Sequence, residues 1–495
     1  MESVTPPLLS PPTRQRFALF LKIGGIGFLI LLLHVPLAMT DGVLQERSRY
    51  RDEAVSQIAS VWGGRQTVTG PILAVPYTYR GHVTRTKMVN GNAVQIDEAA
   101  NITGTAYFLP EELNVGGSIT PEVRYRGIHE AVVYGATLNL KGHFVPDFAA
   151  AGITAESIHW EDARVMFGVS DPKGVRSVSA IRVDDSEAAG FENAGGAPRE
   201  TPNPGGNVAR DASGLRRGFK FDTAPQSREG LSLAAKVVGV TNGKRLDFDF
   251  ETSLQGCGRF EVAPIGKSTV VRLTSLWANP SFVGASLPGN REITAGGFDA
   301  EWQSTHFSRA FSQTWTSKQT ELKEAMAAIT ASASGVDFAQ PVDGYRLAER
   351  AQKYGVLFFV LVFAVFFLFE VTAPLRIHPL QYAMVGAALC LFFLGFLALS
   401  EFLPTGLAYA AAAGACTALI SFYSLSVLKS GRRTSVIVGG LAATYGYLYF
   451  VLKSQDYALL AGTAALFTAL AIVMFFTRRI DWYSLEMKPV AGGAK

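Results

Sequence analysis

The chain has 495 residues, of which 48% are hydrophobic and 17% charged, and its formal net charge is +4. Such a length allows more than one domain, and so small a net charge gives no ground for a nucleic-acid partner. The apolar residues gather in one run near the N-terminus and in a series from about Tyr354, with ordinary soluble composition between, which excludes a plain soluble globule.

Residues 1–16 read as a tail and residues 17–39, "FALFLKIGGIGFLILLLHVPLAM", as an anchor long enough to cross about 30 Å of hydrocarbon. Lys22 can snorkel from its start. The run exceeds a usual signal core and continues into "GVLQERSRYRDEAVSQIASVWG", so an uncleaved anchor is expected over a removed signal peptide. "GGIG" at 24–27 lies inside this helix, where it permits close packing; no strand precedes it to make a nucleotide cradle.

The segment after the anchor sets Leu44, Val55, Ile58 and Trp62 among charges, with Arg49 and Glu53 four apart, and predicts a helix serving as stalk, lid or partner surface. Beyond Trp62, "GPILAVPYTY", "ITGTAYFLP", "ATLNLKGHF", "RLDFDFETSLQG" and "STVVRLTSL" alternate with a period near two and predict a mainly β domain. In "RLDFDFETS" the row Asp247, Asp249 and Glu251 lacks the loop geometry of a calcium cage and reads as a solvated strand face. Residues from about 185 to 214 are poor in large apolar side chains and read as a flexible insertion. Cys257 is the one cysteine of this domain, so no disulfide can form within it.

Five further spans are expected at about 354–373, 380–400, 405–428, 436–452 and 457–476, together a five-helix block over 354–476, followed by a tail at 477–495. Arg14, Arg16 and Lys22, then Arg376 and His378, then Lys429, Arg432 and Arg433, then Arg478 and Arg479 fall at alternate connections. By the positive-inside rule both termini are cytoplasmic and residues 40–353 are translocated. The fold class expected is therefore a multi-pass α-helical membrane protein of six spans, with a large mainly β periplasmic domain inserted between the first and second.

No HExxH, GxSxG or compact metal signature occurs, and neither a metal nor another cofactor is expected. Ser170 and Lys173 have SxxK spacing, but Pro172 and the absence of SDN and KTG companions favour a turn. Glu370, Glu401, Asp456 and His34 sit at predicted helix ends. There they serve as caps and interfacial contacts, or alternatively line an ion or substrate pathway.

Taken together, "ERSRYRDEAVSQIASVWGGRQTVTGPILAVPY", "YFLPEELNVGGSITPEVRYRGIHEAVVY", "GVSDPKG", "FEVTAPLRIHPLQYAMVGAALCLFFLGFLALSEFLPTGLAYAAAA" and "TRRIDWY" resemble the CreD family over about residues 44–483. The family pattern carries over to Glu46, Arg47, Arg51, Trp62, Gly70, Pro71, Arg126, Gly127, Asp171, Pro172, Glu370, His378, Pro379, Gln381 and Tyr382. Arg376 and Glu401 join them as structural candidates, with a Glu370–Arg376 pair expected to pin the turn. In "SEFLP" Phe402 stands where the family often has histidine, which weakens a proton relay there. The resemblance implies a noncatalytic inner-membrane protein of envelope integrity or envelope stress, acting by periplasmic binding or scaffolding. Its partners would be the phospholipid bilayer and an envelope protein, lipid or peptidoglycan-related component. A transporter or lipid-associated protein, and an envelope enzyme, are the alternatives.

Overall fold

The computed structural model describes residues 11–89, 92–183, 186–187, 190–193, 233–338, 344–372, 377–453 and 458–478. The chain divides into two compact units, one of residues 1–52 with 342–495 and one of residues 53–341.

Among the described residues, the unit of residues 53–341 is built on two sheets of ten and nine strands. In the first, β1 (Gln66–Val89) pairs antiparallel with β2 (Asn92–Phe108) and with the strand Arg164–Val169, and parallel with Arg259–Val262. In the second, β3 (Glu112–Arg126) and β4 (His129–Phe144) form a hairpin, and β4 pairs with Leu246–Cys257. Alternation dictates the packing. Leu246, Phe248, Phe250 and Leu254 are buried in a core shared with Val68, Ile72 and Phe167 of the other sheet. Phe167 meets Phe250 edge-on at 5.3 Å, and Tyr134 meets Phe260 at 5.9 Å. The acidic row of the same strand faces outward, with Arg245 bonded to Asp247 at 2.7 Å and Lys141 to Asp249 at 3.1 Å. The unit also holds the helix α2 (Leu322–Ala331), which buries Met326 and Ile329 in the same core.

The helix after the anchor continues it: α1 runs from Pro11 to Trp62, with Pro36 inside it and the Thr40 hydroxyl donating to the Pro36 carbonyl at 3.1 Å. Its last turns place Val55, Ile58 and Trp62 against Ala131, Val133 and Cys257. Within the expected flexible insertion, Ser186–Glu187 and Glu192–Asn193 are short strands, the latter paired with Leu233 and Ala234. Residues 184–185, 188–189 and 194–214 of that insertion lie outside the described residues.

In the other unit, α3 (Gly344–Lys353) and α4 (Gly355–Thr372) are followed by α5 (Pro379–Ser400), α6 (Thr405–Leu428), α7 (Gly431–Lys453) and α8 (Ala458–Thr477). Among the described residues four helices, α1, α5, α6 and α7, are long and apolar enough to cross a membrane. They become five if α3 and α4, bent by 51° at their junction, are counted as one span, so the count of six is met only in part. α3 carries Arg346, Glu349, Arg350 and Lys353, charges that are costly to place in hydrocarbon. Phe392 organises the centre of the bundle, touching Phe358, Phe393, Phe396, Tyr409 and Tyr445. The first helix docks into glycine notches. A Cβ on Gly386 would lie 2.2 Å from Leu33, and one on Gly355 2.8 Å from Leu37.

Candidate functional site

Three groups of side chains absorb most of the residues singled out in the sequence. The first gathers around Glu370 near the end of α4. One carboxylate oxygen accepts from the Lys22 ammonium, in a contact shorter than an ordinary hydrogen bond, and from the Ile377 amide at 3.2 Å. The other accepts from the Tyr382 hydroxyl at 3.2 Å. Lys22 also donates to the Ile377 carbonyl at 3.2 Å. The described partner of Glu370 is thus a lysine of α1, 348 residues earlier. The expected Glu370–Arg376 pair cannot be placed, since Arg376 lies outside the described residues, as does Pro374.

Immediately after, "HPLQ" starts α5. His378 is the N-cap, its Nδ1 accepting from the Leu380 amide at 3.2 Å, while the Gln381 side chain accepts from the His378 amide at 3.0 Å. Pro379 takes the first helical position, where no amide partner is needed. His378, Pro379 and Gln381 are therefore a helix start. The residue three after the cap is the sequence signal that could have identified it.

The second group lies at the opposite end of α5. Glu401, its C-cap, accepts from the Tyr345 hydroxyl of α3 at 3.2 Å and lies 3.8 Å from Arg47 of α1. The Arg51 guanidinium lies over the Tyr345 ring at 5.5 Å and bonds Asp52 at 3.1 Å. Glu46 is exposed and accepts from the Tyr50 hydroxyl at 3.0 Å. Phe402 is 74% exposed and takes no part. Tyr345 had no distinguishing motif in the sequence. Asp456 lies outside the described residues.

The third group is in the β unit. The Asp171 carboxylate accepts from the Gly64 amide at 2.9 Å and the Lys173 amide at 3.1 Å, capping a short 3-10 turn that opens with Pro172. Gln66, fully buried, donates to the carbonyls of Asp171 and Gln255 at 3.0 Å and accepts from the Asp171 amide at 3.2 Å. The Ser170 hydroxyl donates to the Arg65 carbonyl at 2.7 Å and accepts from the Thr67 amide at 2.9 Å. Trp62 closes this region, its ring under Arg124 at 4.0 Å and its indole donating to the Tyr134 carbonyl at 3.4 Å. Burial pushes the Tyr134 hydroxyl well above the usual range and raises the Cys257 thiol. Nearby, Gly70 (φ +112°) and Pro71 occupy an irregularity of β1, and Gly127 (φ +63°), next to Arg126, opens the two-residue turn between β3 and β4.

Among the described residues of the helical unit, two cavities stand out. One of about 780 Å³ lies along α6 and α7, lined by Tyr409, Tyr445, Tyr449 and small residues, with no charged side chain. The other, of about 540 Å³, lies between α1 and α3 and is lined by residues of both charge signs.

The family model "Inner membrane protein CreD" matches residues 18–483. The chain is 30% identical to inner membrane protein CreD of Escherichia coli (strain K12) over 469 residues, 95% of each chain. A solved structure of a candidate protease from Parabacteroides distasonis is matched with a TM-score of 0.22 and 11% identity over 67% of this chain and 59% of that one, too little to carry an argument.

Proposed function

Since the chain belongs to the CreD family of inner membrane proteins, we propose that it is a noncatalytic component of the inner membrane supporting envelope integrity by binding or positioning. The observation that carries this reading is the state of the one enzyme-like spacing. Ser170 and Asp171 are spent on backbone amides and carbonyls that hold β1 to the turn, which gives both side chains a structural role. The chain crosses the membrane six times in this reading, with α4 and α8 completing the set. Both termini are cytoplasmic, and residues 40–353 are periplasmic. The bundle anchors the protein, and the β unit meets an envelope protein, lipid or peptidoglycan-related partner. Transport is the weaker reading, because aromatic rings fill the bundle centre and the larger cavity has no charged lining.

Two experiments test it. A periplasm-active reporter fused after Ala209 is expected to be active and one fused after Gly431 inactive; the reverse would overturn the orientation. In cells lacking the chain, leakage of periplasmic enzyme should be restored to normal by wild type and by Lys173→Met alike. A folded, membrane-inserted Lys173→Met protein that fails to restore it would overturn the noncatalytic reading.

A further inference from the structure

The cavity between α1 and α3 lies where α1 passes from its apolar run to its charged segment. The two helices run side by side in opposite directions, with Gln352 donating to the Leu37 carbonyl at 2.5 Å and Arg51 over Tyr345. Leu37 and Leu44 give the cavity an apolar wall, and Asp41, Arg51, Arg346, Glu349 and Lys353 give it charge. On α1 beside and before this point Leu31, Leu32, Val35 and Met39 are exposed, a surface suited to acyl chains.

The charges select the ligand. Three cations face two carboxylates, so a simple anion would meet Asp41 and Glu349, and a simple cation would meet Arg51, Arg346 and Lys353. Lys353 already pairs with Glu349 at 2.9 Å, Asp41 accepts from Gln45 at 2.9 Å, and Arg51 bonds Asp52. Arg346 has no ion-pair partner among the described residues. A ligand carrying both a phosphate and a primary ammonium satisfies both signs at once, with the phosphate on Arg346 and Lys353 and the ammonium on Asp41 and Glu349. A quaternary ammonium would lack the N–H donors those carboxylates can accept. The volume lies within the range of small-ligand sites.

We propose that this cavity binds the phosphoethanolamine head group of a membrane phospholipid, its acyl chains lying along the exposed apolar face of α1. The inference rests on the membrane placement of α1 but not on the orientation, because the argument uses no feature of either leaflet. Failure of the reporter fusions would therefore leave it standing.

The test uses the full-length chain reconstituted in nanodiscs containing equal parts phosphatidylethanolamine, phosphatidylglycerol and phosphatidylcholine, then released into mild detergent and analysed by native mass spectrometry. Phosphatidylethanolamine is expected to be retained over the other two. Arg346→Gln with Lys353→Gln should lower its retention by about tenfold, the loss of a charge-assisted contact to phosphate, while Arg346→Lys keeps it. Asp41→Asn with Glu349→Gln should abolish the preference over phosphatidylglycerol. Equal retention of the three lipids, or unchanged retention in the Arg346 and Lys353 double variant, would overturn the proposal. Displacement of the lipid by millimolar soluble phosphoethanolamine would overturn the lipid source in favour of a soluble ligand, and resistance to displacement supports the lipid. All side chains changed lie at the helix surface, and the melting temperature of each variant is the check that it folds.

Discussion

Glu370 shows how one carboxylate can hold three segments. Its partners are an ammonium on α1, an amide just before α5 and a hydroxyl on α5, and its side chain is only 10% exposed. Glu370→Ala removes all three contacts and leaves Lys22 without a counter-charge, whereas Lys22→Ala leaves Glu370 two donors. The expected order of melting temperature in detergent is wild type, then Lys22→Ala, then Glu370→Ala, with the last losing about 3 kcal/mol; equal melting of the two variants would count against this network. Gly174 is a steric case. An added Cβ would lie 2.2 Å from both the Gln255 carbonyl and the Gln66 amide, and Gln66 has no room to move because it is buried and fully bonded. Gly174→Ala should destabilise the β unit by about 3 kcal/mol, read by loss of folded protein in denaturant titration. Glu261 responds to pH. Burial raises its carboxyl pKa, partly offset by Arg259 and Arg65. A carboxyl raised in the folded state stabilises most below its unfolded pKa, and that contribution is lost as pH rises toward the folded value. Glu261→Gln should therefore melt above wild type at pH 7, with the gap closing toward pH 4; a gap that widens on acidification would reverse the assignment.

At the scale of elements, the start of α5 and the outward strand face both obey local rules. The α5 start is local: cap, proline and N3 glutamine lie within four residues, and their roles follow from spacing alone. His378→Ala should cost about 1 kcal/mol, and a double change with Gln381→Ala little more, because the two bonds secure the same turn; additive losses in melting would show that they act separately. The strand Leu246–Cys257 was equally legible, since a period of two assigns each side chain to a face. The continuation of α1 past residue 40 was legible as well, and the structure adds that the Thr40 hydroxyl returns to the preceding turn.

For the whole molecule, the joining of the first helix to the C-terminal bundle depends on glycines whose sequence context is unremarkable. Gly386→Val would force Leu33 out of its notch and loosen α1, with an expected loss of about 2 kcal/mol and faster proteolysis within α1. Unchanged protection would mean that the contact is dispensable. The sequence by itself determined the division into apolar runs and an alternating β region, since hydropathy and period are properties of neighbouring residues. It also marked most of the candidate residues, but not what they touch. Only the tertiary structure decided that Glu370 meets Lys22, that Tyr345 joins Arg51 and Glu401, and that Ser170 and Asp171 bind backbone. Each is a contact between segments far apart in the chain, and no local pattern of residues encodes which distant partner will arrive.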